Sequence, residues 1–335
     1  MSDTTLAIVT DAWLPQVNGV VNTLMQTRAA LVRRGYRVIL LTPQEHITLP
    51  CPSYPEIRLA IRPSRKVHAL LDRLRPDHIH IATEGPLGLA ARAYCLRKHL
   101  AFTTSYHTQF PEYLRSRLPV PLAASYSFLR RFHKAAARTM VATPSQEKLL
   151  RQWRFGNLVR WTRGVDTDLF RPDERAPLEV ARPLFTCIGR VAVEKNLEAF
   201  LSLELPGTKC VIGDGPQLEE LKRRYPGVLF PGYKFGDDLA RRLAAADVFV
   251  FPSRTDTFGL VMLEAMACGV PVAAFPVTGP IDVVTHGVTG ILNEDLRQAA
   301  LAALKLDRAR CRAEALKHTW AESSRQFSDN LVPVC

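Results

Sequence analysis

The sequence predicts an α/β protein of two doubly wound domains, on three observations. Short apolar runs rich in β-branched residues alternate with stretches of helical periodicity along nearly the whole chain. That alternation is the mark of parallel strands joined by crossover helices. It lapses once, in the polar, proline-bearing stretch TRGVDTDLFRPDERAPLEVARP at 162–183, and then restarts. The 335 residues are enough for two domains with a core each, set at 1–165 and 166–335.

In chain order, TLAIVT (5–10) reads as a buried strand, followed by a loop holding Pro15, Asn18 and Gly19. VVNTLMQTRAALVRRG spaces its apolar residues as a helix does and closes on Gly35. YRVILLT and HIHIAT (78–83) are further strands, and GLAARAYCLRKH is a helix. AFTTSYHT and RTMVAT are two more strands, with a helical stretch between them. After the break, LFTCIGR, KCVIGDG, VLFPG, DVFVFPS and VPVAAFPV read as strands, each followed by a helix-like segment, so the second domain is another Rossmann-like sheet. HTWAESSRQFSDNL, about 318–332, is a final amphipathic helix that could pack back on the first domain. Two such sheets facing each other make a cleft, with ligands beyond the carboxyl ends of the strands.

Composition narrows the class. Hydrophobic residues make up 47% of the chain, and no apolar run reaches the roughly 18 residues of a membrane span. The start, MSDTTLAIVTDAW, shows neither a basic n-region nor a small-residue cleavage site, so no secretory signal is expected. Seven cysteines at scattered spacings, with no CxxC pair, point to reduced structural thiols in the cytoplasm rather than to zinc. The net charge of +12 is one-sided: residues 1–165 hold 24 Lys and Arg against 9 Asp and Glu, and the rest 20 against 23. A basic first domain suggests an anionic partner, a membrane surface, a nucleic acid or a polyanion, with a solvated arginine-rich surface as the plainer alternative.

The loops after the strands carry the chemistry. Gly19 stands where a loop enters a helix, a place that suits phosphate or a plain turn. Arg190 and Lys195 lie in GRVAVEKNLEAF, with a helix expected to start near Asn196, so two cations at a helix start could seat a diphosphate, or be two solvated loop charges. In PSRTDTFGLVMLEAMACGVPV, Asp256 precedes the helix FGLVMLEAMACG and Glu264 lies two turns in. Eight residues at 100° each come to about 800°, which would set the two carboxylates on neighbouring faces. A carboxylate in apolar surroundings needs donors, and sugar or ribose hydroxyls supply them. The plainer alternative makes Asp256 an N-cap and Glu264 a surface residue.

These segments resemble the retaining nucleotide-sugar glycosyltransferases of the two-Rossmann-domain (GT-B) type, glycosyltransferase family four. The resemblance runs through TDAWLPQVNGVVNTL, SYHTQFPEYL, VATPS, RGVDTDLFRP, IGRVAVEKNLEAFL, IGDGPQLEEL and PSRTDTFGLVMLEAMACGVPV, in the family's order. Within the family the chain is most similar to GDP-mannose α-mannosyltransferases and UDP-sugar glycolipid synthases. The family pattern is Glu-x7-Glu; here Asp256, one methylene shorter, stands first.

The resemblance implies roles. Arg190 and Lys195 would neutralise the donor diphosphate, and Glu264 would hold the ribose hydroxyls. Asp256, Thr257, Phe258, Gly259, Leu260 and Val261 would hold the donor sugar, and Gly19 the phosphates. His107 would reach the transferred sugar. The nucleobase would lie near Gly213, Gly215 and Tyr233. The donor, GDP-mannose or a UDP-hexose, is a substrate, and no cofactor or metal is expected. Asp166 and Asp168 imitate a metal-binding D-x-D but fall in the boundary segment, so they read as turn residues.

From 115 to 138 six basic residues, Arg115, Arg117, Arg130, Arg131, Lys134 and Arg138, occur with no acidic one, interleaved with Leu118, Val120, Leu122, Tyr126, Phe128, Leu129 and Phe132. That suits docking on an anionic membrane surface, or an ordinary helix with its apolar side on the sheet. The reading is a peripheral enzyme on the cytoplasmic face of the membrane with a lipid acceptor. A soluble glycan acceptor, a sugar-nucleotide epimerase and a non-enzymatic membrane or polyanion binder are the alternatives. No nucleic-acid motif is present, and no G-x-G-x-x-G follows any strand.

Overall fold

The structure, a computed structural model, describes residues 4–16, 18–51, 54–115, 119–172, 176 and 179–335. The chain divides into two compact units: residues up to Thr162 together with Trp320–Cys335, and Arg163–Thr319.

Among the described residues the first unit holds eight strands: β1 (Thr5–Val9), β2 (Arg37–Leu41), β3 (Thr48–Cys51), β4 (Tyr54–Ala60), β5 (His78–Ile81), β6 (Thr103–Tyr106), β7 (Arg138–Val141) and β8 (Leu158–Arg160). Six of them form a parallel sheet in the order β2-β1-β5-β6-β7-β8, and β3 and β4 pair as an antiparallel hairpin. Side chains alternate across a strand, so β1 feeds two cores. Leu6 and Ile8 pack with Val21, Leu24 and Phe327 on one face. Ala7 and Val9 pack with Ile79, Leu87 and Ala91 on the other. The closing helix, Trp320–Asn330, belongs to this unit. Its Phe327 is fully buried, worth about 1.5–3 kcal/mol. Ser323 donates to the Thr162 carbonyl (2.8 Å), and Gln326 accepts from the Thr162 N–H (3.0 Å).

The second unit holds β9 (Leu184–Ile188), β10 (Thr208–Ile212), β11 (Leu229–Gly232), β12 (Val248–Phe251), β13 (Val272–Ala274) and β14 (Gly290–Leu292). They form one parallel sheet in the order β11-β10-β9-β12-β13-β14. β9 and β12 are therefore neighbours whose following segments wind away to opposite sides. That is the switch point where open α/β sheets bind ligands. Among the described residues, no helix is long and apolar enough to cross a membrane.

Candidate active site

The loops after β9 and β12 are tied together. After β9 the chain makes a single tight turn, Val193–Lys195, and Asn196 follows in the left-handed conformation (φ 51°). The expected helix start at Asn196 is thus corrected. Asn196 ends the turn, its side chain donating to the Pro252 carbonyl (3.0 Å), and the helix that follows is only Glu198–Leu201. So short a helix brings little dipole to a phosphate seat. The cations stand on their own charge, Arg190 and Lys195 both half-buried.

Lys195 meets Asp256 directly, its ammonium donating to both carboxylate oxygens at 2.7 and 2.9 Å. Ser253 and Thr255 donate to the Glu194 carbonyl at 3.3 and 3.5 Å. Next to them the Arg254 guanidinium lies 3.7 Å from the centre of the Phe275 ring and pairs with Glu294 (2.8 Å). The loop that carries Asp256 is thus held from both sides.

Asp256 is not in the helix. The helix runs Leu260–Ala267 and is entered through Gly259 at φ 81°, a left-handed geometry that a side chain would strain. A Cβ there would also stand 2.6 Å from the Met262 methyl. The helical-wheel estimate for the two carboxylates therefore does not apply, because it ran the helix back through a loop. The N-cap alternative fails too, since Gly259 holds that position.

Glu264 does lie in the helix and is 9% exposed. Burial pushes its carboxyl up to about 7, and among the described residues nothing hydrogen-bonds or pairs with that carboxyl. The surface alternative fails for this residue. Phe258 is buried, and Thr257, Gly259, Leu260 and Val261 are half-buried around it in sequence.

Gly213 and Gly215 follow β10 and press on the β9 loop. A Cβ would stand 1.9 Å from the Gly189 carbonyl at the first and 2.4 Å from the Val191 carbonyl at the second. The loops are sewn by Val191 N–H to Asp214 O (2.9 Å) and Gln217 N–H to Val191 O (3.1 Å). These glycines thus have a packing role in the fold itself. Tyr233, exposed beyond β11, stacks with Phe235 at 5.7 Å between ring centres.

In the first unit, Gly19 opens the helix Gly19–Arg33, capped by Asn18, whose side chain accepts from Val20 and Val21 N–H at 3.0 Å each. His107 Nε2 lies 2.8 Å from Ser105 Oγ, and the ring meets Trp161 edge-on at 5.6 Å. Spacing in the sequence did not show Asp11, directly after β1. Its carboxylate accepts from Thr83 Oγ1 (2.9 Å) and from the Leu87 and Gly88 N–H groups (2.8 and 3.3 Å), capping the helix Pro86–Lys98, while burial raises its pKa. Nor did it show buried His80. A histidine in a buried strand needs partners for both ring nitrogens, and that need was the available signal.

Asp166 accepts from the Asp168 and Leu169 N–H groups at 3.2 and 3.0 Å, the geometry of a local turn, and Asp168 is exposed. In the basic segment Arg117 and Leu118 lie outside the described residues. Arg115, Arg131 and Lys134 are exposed. Arg130 is half-buried and donates to the Trp153 carbonyl (3.2 Å), and Arg138 donates to the Asp329 carbonyl (3.0 Å). Tyr126, Leu129 and Phe132 are core residues, while Phe128 is 50% exposed. The helix Leu122–His133 thus packs an apolar side on its own unit and turns a basic edge outward.

Paired parallel sheets of this kind, with cations and carboxylates on the loops of a switch point, define a GT-B protein. The profile described as Glycosyl transferases group 1 matches residues 182–307, and that of Glycosyltransferase Family 4 matches residues 17–169. A GDP-mannose-dependent α-mannosyltransferase of Mycobacterium tuberculosis is 30% identical over 315 residues, 86% of this chain and 83% of that one. A sulfoquinovosyl transferase of Arabidopsis thaliana is 32% identical over 309 residues, 82% of this chain but 61% of that longer protein. The solved sucrose-phosphate synthase of Thermosynechococcus elongatus has the same fold, with a TM-score of 0.76 at 21% identity over 97% of this chain and 98% of that one. The chain belongs to the group 1 glycosyltransferases, family four, and is a glycosyltransferase.

Proposed function

We propose that the chain moves a hexose, mannose or a glucose-type sugar, from a nucleotide-sugar donor to an acceptor hydroxyl on a membrane lipid, with retained configuration. The observation that carries the donor half is Glu264: a buried carboxyl with no partner among the described residues, in the helix that follows the loop holding Asp256. Ribose hydroxyls entering there would give Glu264 the donors it lacks. Arg190 and Lys195 meet the diphosphate, and Asp256 with the Phe258–Leu260 backbone meets the donor sugar. Gly19 serves the phosphates, His107 the transferred sugar, and the Gly213, Gly215 and Tyr233 loops the nucleobase.

Breaking the bond to the nucleoside diphosphate leaves negative charge on phosphate and positive charge on the sugar ring. Fixed cations near the phosphate stabilise that separation more strongly where water is excluded. A leaving phosphate oxygen on the same face takes the acceptor's proton as the hydroxyl attacks. The similarity to a GDP-mannose-dependent enzyme favours GDP-mannose as the donor. The exposed Arg115, Arg131 and Lys134, with the half-exposed Phe128, favour an anionic membrane face, on the cytoplasmic side, as the workplace.

The test is a screen of nucleotide sugars with a membrane lipid extract, reading hydrolysis and transfer separately. Labelled sugar in the lipid phase, with the product's anomeric configuration matching the donor's, is the expected result. Transfer only to water-soluble glycans would move the acceptor, and interconversion of the donor alone would make the chain an epimerase.

A further inference from the structure

In the first sheet β1 and β5 are neighbours whose following segments wind to opposite sides, so this sheet has a switch point of its own. The loop directly beyond β5, residues 83–86, is pinned on both sides of Glu84. Thr83 Oγ1 accepts from the Asp11 N–H (2.7 Å) and donates to the Asp11 carboxylate (2.9 Å). Gly85 lies so close that a Cβ there would stand 2.5 Å from the Asp11 carboxyl carbon. The Glu84 carboxylate is fixed as well. His133, fully buried at the end of the helix Leu122–His133, places Nε2 3.0 Å from Glu84 Oε1 and Nδ1 2.9 Å from Thr104 Oγ1. Thr104 Oγ1 is 3.0 Å from Thr139 Oγ1, and both threonines are fully buried, on β6 and β7. Tyr106 and Phe155 flank the His133 ring, each centred 5.9 Å away.

The line has a direction, because a hydroxyl carries one proton. Among the described residues, the Thr139 hydroxyl meets that of Thr104 alone. Were Thr104 the donor of that bond, the Thr139 proton would be buried with no acceptor, which is costly. Thr139 therefore donates to Thr104, and Thr104 donates to His133 Nδ1. The bond at one ring nitrogen sets the proton on the other, so His133 carries its proton on Nε2 and gives it to Glu84 Oε1. Glu84 Oε2 has no partner among the described residues, and the side chain is 24% exposed. Satisfying His133 takes one acceptor oxygen, which an uncharged amide supplies equally well. A carboxylate held rigidly at a switch point, with one oxygen to spare, is an acceptor for a ligand's hydroxyl. Its charge disfavours phosphate and favours a neutral donor.

We infer that Glu84 binds the acceptor, its Oε2 accepting from a hydroxyl of the acceptor headgroup, and that His133 is the positioning residue that holds the carboxylate ready. The inference rests on the transfer function proposed above. That reading gives the diphosphate, the ribose and the donor sugar their groups, and it leaves the acceptor headgroup without one. The substrate class that follows is a lipid whose headgroup offers a free polyol, such as glycerol, an inositol or a sugar.

The test uses Glu84→Gln, whose amide oxygen still accepts from His133 while the other oxygen is replaced by NH2. Labelled GDP-mannose or UDP-glucose, with vesicles of total membrane lipid extract, gives the rate of lipid labelling against extract concentration. Glu84→Gln should raise the apparent KM for the extract about ten- to hundredfold, the usual worth of a hydrogen bond to a charged group. Its donor KM, donor hydrolysis and melting temperature should stay close to wild type. His133→Phe should raise the same KM and also lower the melting temperature. Nitrogen NMR of histidine-labelled protein at about pH 8, where neutral imidazole dominates, should show the His133 proton on Nε2, with His133 assigned from the His133→Phe sample. A proton on Nδ1 instead would overturn the positioning role of His133. A Glu84→Gln protein that labels lipid with wild-type dependence on extract, or whose donor KM rises instead, would overturn the inference and leave the transfer function standing. A wild type that labels no lipid with either donor would defeat the transfer function, and the inference with it.

Discussion

Lys195 and Asp256 are bound to each other across 61 positions of sequence, the ammonium reaching both carboxylate oxygens at 2.7 and 2.9 Å. The side chains are 24% and 16% exposed. The pair joins the loops after β9 and β12, the two neighbouring strands of the switch point. Asp256 thus balances the charge of Lys195. Under the proposed function, a diphosphate binding at Lys195 would have to compete with Asp256, and the displaced carboxylate would then be available to a sugar hydroxyl.

Two substitutions separate these parts. Lys195→Ala should lower turnover by about 10²-fold or more, as removal of a charge-stabilising donor does. Asp256→Asn should tighten binding of inorganic diphosphate by about fivefold, since a partly exposed pair is worth roughly 1 kcal/mol, while transfer falls. Calorimetry with diphosphate and a transfer assay give both readings. Wild-type turnover in Lys195→Ala would remove Lys195 from the phosphate seat.

Glu264 makes the protein sensitive to pH. Its folded pKa of about 7 stands above the ordinary value of 4.5. The stability from its neutral form is therefore complete below about 4.5 and is lost as pH rises through about 7. That difference amounts to roughly 3 kcal/mol. Glu264→Gln should accordingly melt at a higher temperature than wild type at pH 8, and the gain should be much smaller at pH 5. If ribose hydroxyls bind the charged form, wild-type nucleotide affinity should weaken below about pH 7, and Glu264→Gln should bind weakly with no such pH dependence. Equal affinity in both proteins at every pH would leave Glu264 a purely structural group.

Much of this architecture was legible because a parallel sheet covered on both faces writes continuous apolar runs, as TLAIV and VFVF do. The hairpin β3–β4 was not legible, since prolines at 50, 52 and 55 broke its period. β8 and β14, three residues each, are too short to carry a pattern. In the candidate site, motif order singled out Lys195, Asp256 and Glu264, yet the pairing of Lys195 with Asp256 was hidden. Helical spacing describes residues within one helix, and Asp256 stands outside it. Glu264 was awkward in an apolar run, and its burial explains why. The line from Thr139 to Glu84 crosses strands, which spacing along the chain cannot report.

Asp166 gives a fourth test. Its carboxylate is engaged by two backbone N–H groups of its own turn. Activity should therefore survive a chelator, and Asp166→Asn, which keeps an acceptor oxygen, should keep full activity. Asp166→Ala should lower stability by about 1 kcal/mol, as lost caps do. Complete inactivation by EDTA, reversed by manganese or magnesium, would make DTD a metal site instead.

The last expectation concerns the basic edge of the first unit. Only some of its cations are available to a surface. Arg130 spends its guanidinium on the Trp153 carbonyl, and Arg138 on the Asp329 carbonyl. Arg131 and Lys134 are exposed at the end of the helix Leu122–His133, with Phe128 half exposed on the same helix. A basic residue near an anionic bilayer is worth about 1 kcal/mol. Changing Arg131 and Lys134 together to Ser should therefore weaken binding to anionic vesicles by roughly 30-fold. Arg130→Ser should lower the melting temperature and weaken vesicle binding less than either exposed residue does. Binding should fade as salt rises, because the Debye length shrinks from about 8 Å at physiological salt to about 3 Å at 1 M. Nucleotide affinity should be unchanged throughout, since Lys195 and Glu264 belong to the other unit. Co-sedimentation with neutral and anionic vesicles at two salt concentrations reads all of this. Equal binding to both vesicle types, or none to either, would point the acceptor search to soluble saccharides.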